Sequence, residues 1–211
     1  MGNSNLVNKL HTLYIALPEA LEDALFRLYE DLSGKYTNEY LDSKSFKAHI
    51  TIGALLLTDE YTEMFIKLCA DVVSKISSFE VKFEIFSKSE DGKYIFLDLD
   101  RTSGRIVMEI RRSFIDKTRR LFEINIPDKY LEKLDEFSPS EQKRLKQTGS
   151  PYIFKPHISI VKLDPRETNK AMQEIQNHAI LGTSFRVREF HVSSQSVDPD
   201  NQFPVIKVLL V

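Results

Sequence analysis

Two histidines carry the strongest chemical signal in this chain, because each sits inside the same seven-residue phrase. Residues 46–52 read Phe46-Lys47-Ala48-His49-Ile50-Thr51-Ile52, and residues 154–160 read Phe154-Lys155-Pro156-His157-Ile158-Ser159-Ile160. The copies differ only where Ala becomes Pro and Thr becomes Ser. Polar and apolar residues alternate in both, which is the period of a half-buried strand. One face then carries Lys, His and a hydroxyl residue; the other carries Phe, Ala or Pro, and two Ile. Two such strands facing each other supply two imidazoles, each able to serve as acid or base because the ordinary pKa is about 6.5. Thr51 and Ser159 lie two residues along on the same faces, suited to donate hydrogen bonds to nonbridging phosphate oxygens. Donors aimed at developing negative charge contribute roughly 3 kcal/mol each. Lys47 and Lys155 share those faces as possible substrate contacts, equally placed to add positive charge or to swing into solvent. A lone His-x-Thr would carry little weight; the duplication on matched faces is the signal.

The elements around the two phrases repeat as well. Leu10–Leu17 reads as a strand ending at Pro18, after which Leu21, Ala24, Leu25, Leu28 and Leu32 recur at helical spacing until Ser33-Gly34. The first histidine strand, Phe46–Leu57, leads to Thr58 as a helix cap, then to an inward stripe of Met64, Phe65, Leu68, Val72 and Ile76. Phe79–Ser87 and Tyr94–Asp100 read as a hairpin around Asp91-Gly92. After His157 the order returns: a strand to Leu163, then Asp164-Pro165-Arg166-Glu167 combining an N-cap, a first-turn proline and a capping-box glutamate. Its helix turns Ala171, Ile175 and Ala179 inward, and a strand pair follows, Phe185–Ser193 and Val205–Val211, around Asp198-Pro199-Asp200-Asn201. An internal duplication is the economical explanation. Between the halves lie a helix over roughly Ser103–Phe122 and a polar segment, Asp128–Ser150, expected as a helical or partly mobile insertion near the cleft, with a start signal at Ser138-Pro139-Ser140-Glu141.

Composition narrows the possible functions. At 211 residues, with 42% apolar and 28% charged residues, the chain can bury one substantial core, and its net charge of −2 argues against coating nucleic acid through bulk electrostatics. A single cysteine, Cys69, excludes an intramolecular disulfide and a thiolate metal cluster, and it falls within an apolar helical pattern. No run is long enough for a membrane span and no signal-peptide layout is present, so the expectation is a soluble, cytoplasmic protein. The histidine spacing lacks a neighbouring metal-ligand pair, and the seven glycines are not grouped into a phosphate loop. Neither a metal nor a cofactor is expected.

A pair of His-x-Thr/Ser strands in a duplicated chain of this length resembles the two-histidine (2H) phosphoesterases, among them the 2′-5′ RNA ligase and cyclic phosphodiesterase proteins. The resemblance covers the order of elements nearly throughout, while residue-level matching is confined to the two phrases; Phe154–Ser159 fits the second motif well. It implies an α+β, bilobal fold in which two antiparallel sheets frame a cleft with helices outside. Applied to the whole chain, 1–211, it gives one domain with halves of about 1–100 and 101–211, a helical insertion at about 128–150, and exchange of terminal strands between lobes. The catalytic positions it implies are His49, Thr51, His157 and Ser159, working without metal, with His157 as base and His49 as acid for hydrolysis. The implied activity is a phosphodiesterase acting on 2′,3′-cyclic phosphates or 2′-5′-linked nucleotides and RNA ends. The rival reading is a nucleotide- or RNA-binding module that keeps the cleft and performs little chemistry. Neither requires a membrane or an obligate protein partner.

The remaining candidates compete with plainer roles. Tyr152 and Phe154 are placed to stack on a base, as are Tyr14 and Phe96, although strand aromatics more often fill cores. His11 and His178 read as structural or exposed, while His191 lies on a strand expected to border the cleft. Arg105, Arg111, Arg112, Lys117, Arg119 and Arg120 share one helix, for which a solvated face is the default expectation.

Overall fold

The computed structural model describes residues 9–36, 47–124, 128–148, 150, 152–196 and 204–211; Phe46 of the first phrase and the turn at 198–201 lie outside these. Among the described residues the strands are β1 (Lys9–Ala16), β2 (His49–Leu57), β3 (Glu80–Lys88), β4 (Tyr94–Leu99), β5 (His157–Lys162), β6 (Ser184–Arg186), β7 (Glu189–Ser196) and β8 (Val205–Leu210). The helices are α1 (Glu19–Lys35), α2 (Thr62–Val73), α3 (Arg101–Ile124), α4 (Asp128–Leu131), α5 (Pro139–Thr148) and α6 (Pro165–Ile175). The strands pair into two antiparallel sheets, in the orders β2-β1-β7-β8 and β5-β4-β3-β6. The expected α+β architecture of two antiparallel sheets is therefore the one present. Each sheet draws strands from both halves of the chain, and β2 and β5, the two histidine strands, lie at sheet edges that abut each other.

Helices cover the apolar faces. The α2 helix packs against β1, β7 and β8, α3 against β2, and α1 and α6 against the second sheet. One continuous apolar core runs through both layers, and the alternation of the two phrases is kept within it. Ile50, Ile52, Ile158 and Ile160 are buried to within 1% of full burial, whereas Lys47, His49, Thr51, Lys155, His157 and Ser159 retain exposure. At Gly53, two residues beyond Thr51, α3 comes so close that a Cβ would lie 2.1 Å from the Phe114 ring, so glycine is required by space.

Local signals explain most boundaries. Asp164 caps α6, its carboxylate accepting from the Arg166 amide at 2.9 Å, with Pro165 in the first turn. Ser138 and Glu141 form a reciprocal capping box at the start of α5, whose Leu145 is buried as the helix packs on α3. Gly92 takes φ +71° in the β3–β4 turn, the left-handed conformation that glycine adopts without strain. No helix among the described residues is long and apolar enough to cross a membrane.

Several expectations need correction. The segment Phe185–Ser193 is not one strand: β6 pairs with β3 in the second sheet and β7 with β1 in the first. The break is anchored by Val187, whose amide donates to Phe79 O at 2.8 Å while its carbonyl accepts from Ser78 Oγ at 2.9 Å. The α1 helix continues past Ser33-Gly34 to Lys35, whose ammonium pairs with Asp31 at 2.9 Å. The buried stripe of α2 is Phe65, Cys69, Val72 and Val73, leaving Met64 outside; α6 ends before Ala179, which is exposed, and Ile180 is buried in its place.

Candidate active site

The two phrases position their histidines by the same device. His49 donates Nδ1–H to the carbonyl of Lys47 at 2.8 Å, and His157 donates Nδ1–H to the carbonyl of Lys155 at 2.8 Å. A carbonyl can only accept, so in each neutral ring the proton sits on Nδ1 and the lone pair on Nε2. Each ring also leans on an aromatic of the neighbouring strand. Tyr14 of β1 lies 5.0 Å from His49 between ring centroids, and Phe96 of β4 is stacked on His157 at 4.0 Å. Thr51 is half-buried and Ser159 exposed, each on the polar face of its strand.

Electrostatics separate the two rings. Burial pushes the pKa of His49 below its ordinary value, and the positive charges of Lys47 and of His157 act in the same direction. Burial also lowers the His157 pKa, but the negative charge of Asp98 opposes that fall, more strongly than the Lys155 ammonium adds to it. The two histidine strands meet along the β2–β5 edge. Among the described residues no three His, Cys, Asp or Glu side chains are grouped as metal ligands.

His49, Thr51, His157 and Ser159 are thus brought to the two abutting edge strands. The weaker candidates divide. Lys47 is half-buried beside His49, whereas the Lys155 ammonium is paired with the buried Asp98 carboxylate, so its charge is already countered. Phe154 lies beneath the Arg111 guanidinium, 3.9 Å from its ring centroid, so one face of the ring is covered. Tyr152 is 61% exposed, its ring edge-on to Tyr130 at 6.3 Å. His11 is fully buried, bonded through Nε2 to Thr62 Oγ1 at 2.9 Å and to Ser194 Oγ at 3.2 Å, a structural role. The Nδ1 of His178 accepts from the Ile180 amide at 3.2 Å. His191, on β7 opposite Tyr14, holds Glu189 through Nε2 at 2.9 Å.

Two residues were misjudged or passed over in the sequence. Arg111 is no part of a solvated face: it is 8% exposed, and its Nη1 donates to Ile52 O at 2.6 Å. It thereby ties the first phrase to Phe154 of the second, and desolvation lowers its pKa to about 10. Only its position among the apolar residues Val107, Ile110 and Phe114 of α3 hinted at burial. Asp98 carried no local signal, because what matters about it is its register opposite His157.

No protein-family model matches the sequence, and no curated protein matches it. Solved structures do. Escherichia coli LigT without ligand superposes with a TM-score of 0.60 at 12% identity, covering 97% of this chain and 98% of LigT. TT0787 of Thermus thermophilus gives 0.63 at 12% identity, covering 96% and 97%. LigT complexed with 3′-AMP gives 0.56 at 12% identity, covering 96% and 98%. The likeness extends over essentially the whole of each chain, and at this identity it speaks to fold: the architecture expected from the two-histidine resemblance, the LigT fold, is the fold this chain has.

Proposed function

We propose that the chain is a metal-independent phosphodiesterase that opens 2′,3′-cyclic phosphates or cleaves 2′-5′ linkages at nucleotide or RNA ends by two-histidine acid–base catalysis. One observation carries this reading. Both imidazoles are held by the same Nδ1–H bond at 2.8 Å on abutting edge strands, which puts the basic lone pair of both rings on the same nitrogen, Nε2. The neighbours' ligands are of the right class, LigT having been solved with 3′-AMP and with phosphate.

The reaction can be written atom by atom. A phosphodiester enters between the rings, and Thr51 and Ser159 donate to its nonbridging oxygens. One neutral imidazole takes a proton from water at Nε2 as the water oxygen bonds to phosphorus. The other, protonated, gives its Nε2 proton to the ribose oxygen as the P–O bond breaks, yielding a phosphomonoester. Burial disfavours imidazolium in the free site, so the substrate's negative charge is what admits the proton. The negative charge of Asp98 favours the protonated form of His157. This favours His157 as acid and His49 as base, the reverse of the assignment suggested by the family resemblance.

The test is turnover of a 2′,3′-cyclic mononucleotide and a 2′-5′-linked dinucleotide, with EDTA present, by the parent protein, His49→Ala and His157→Ala. Turnover by the parent and a loss of about 10²–10⁴-fold in each variant is expected. Unchanged turnover in either variant would sink the assignment. Binding without turnover by the parent, surviving loss of both histidines, would point to the binding module instead.

A further inference from the structure

The two histidine environments match closely until one position breaks the match. On β1, Tyr14 lies against His49, and two residues on, Ala16 sits opposite His49 in the ladder. On β4, Phe96 lies against His157, and two residues on, Asp98 sits opposite His157. Aromatic, spacer, facing residue: the arrangement is repeated, but one facing residue is a methyl group and the other a carboxylate.

Asp98 is an expensive residue in that place. It is 2% exposed, its Oδ2 accepts from the Lys155 ammonium, and its Oδ1 is buried with no hydrogen-bond partner among the described residues. The Lys155 side chain is 64% exposed, so the pair is partly screened by water. A buried charge carries a desolvation cost that such a pairing repays incompletely, whereas an uncharged side chain would avoid that cost. Stability therefore does not explain the carboxylate, and its connections do. The residue whose ammonium Asp98 holds, Lys155, is the residue whose carbonyl accepts the His157 Nδ1–H.

We propose that Asp98 is the positioning residue of His157: through Lys155 it fixes the orientation of the ring, and its charge stabilises the imidazolium, so that one of two like histidines is committed to the acid role. This rests on the two-histidine reaction proposed above. The groups that face His157 leave Asp98 as the distinguishing one. From β4 come Asp98 and the uncharged Phe96, and from the approach to β5 comes Lys155. From β2 comes His49, with Lys47 beside it, while Arg111 of α3 is engaged by Ile52 O and Phe154. The α1 helix packs on β5 and buries Leu25, Leu28, Tyr29 and Leu32.

The experiment is an NMR titration of the histidine imidazole signals in the substrate-free protein, for the parent, Asp98→Asn and Lys155→Met, alongside pH–rate profiles. Asp98→Asn is expected to lower the His157 midpoint and to move that of His49 far less, through its coupling to His157 alone, each unit costing about tenfold in protonated His157. The fall in turnover should appear in kcat rather than KM, with the corresponding limb of the pH profile moved to lower pH. Lys155→Met removes a cation and should move the His157 midpoint up. Opposite directions separate charge from a disturbed fold, which would move both variants alike. An unmoved His157 midpoint in Asp98→Asn, or equal movement of His49 and His157, overturns the proposal. Failure of the underlying reaction would appear separately, as turnover indifferent to His49→Ala and His157→Ala.

Discussion

Replacing Gly53 by Ala tests whether α3 holds the first histidine strand in place. The added Cβ would meet Phe114 Cε1 at 2.1 Å, Cδ1 at 2.5 Å and Cζ at 2.9 Å, where ordinary contact begins near 3.4 Å. The ring must therefore withdraw by about 1.3 Å, the difference between 3.4 and 2.1 Å. It has little room: Phe114 is fully buried and edge-on to Phe65 at 6.0 Å. Overpacking of this kind costs about 1–3 kcal/mol. For a chain of this size that corresponds to a Tm lower by roughly 2–12 °C. Because α3 also carries Arg111, which holds Ile52 O and Phe154, displacing the helix should disturb both histidine strands. A misplacement near 1 Å can cost about 10²-fold in turnover. Thermal unfolding and turnover are measured for Gly53→Ala, Phe114→Leu and the double variant. The smaller leucine should relieve the clash, giving a favourable coupling of about 0.5–3 kcal/mol. Additive losses would show that Phe114 is not what requires glycine.

Arg111→Met should destabilise by about 1–3 kcal/mol in urea unfolding, because Ile52 O loses its donor inside the protein; part of that is offset by removing a buried charge. Arg111→Lys should recover little, lacking a planar group to lie over Phe154; stability of Arg111→Met equal to the parent's would refute the role. Acidification gives an independent check on burial of the histidines. His11, His49 and His157 all resist protonation in the folded state, so the unfolded chain binds more protons below pH about 6.5. Stability should fall as pH drops from there through the lower folded-state pKa values, by at most about 1.4 kcal/mol per pH unit for each group, and His157→Gln should flatten the slope. The carboxylates held low, such as Asp100 beside Ser103, lose their contribution only below about pH 4, outside that window. Unfolding at pH 7.5 and 5.5 compares the two, and equal stability at both would contradict the burial of these rings.

What could be read in advance was what neighbours in sequence determine. Alternation placed the two histidines on the polar faces and four isoleucines in the core, because the strand period is a local property. The Asp164 cap, the Ser138–Glu141 box and the Gly92 turn were legible for the same reason. The split between β6 and β7 was not, since it depends on Val187 meeting Phe79 and Ser78 across more than a hundred residues of chain. Arg111 on a helix rich in arginine and lysine looks like its solvated neighbours until β2 is laid against it.

The same division separates the motif from its use. A duplicated phrase hands over two equal histidines, and equality is unhelpful to a reaction that needs one proton donor and one acceptor. The difference must come from outside the repeat. In the reaction proposed above it comes from strands outside the two phrases: β1 offers Ala16 to His49, and β4 offers Asp98 to His157. Neither pairing can be inferred from the phrases, because β4 and β5 are separated by α3, α4 and α5 and meet only in the folded sheet. Duplication would then supply the chemistry and the two sheets its direction. Moving the charge should move the role: Ala16→Asp in the Asp98→Asn background is expected to raise the His49 midpoint above that of His157. If the order of the two midpoints stays that of the parent, the direction is set by something other than the facing carboxylate.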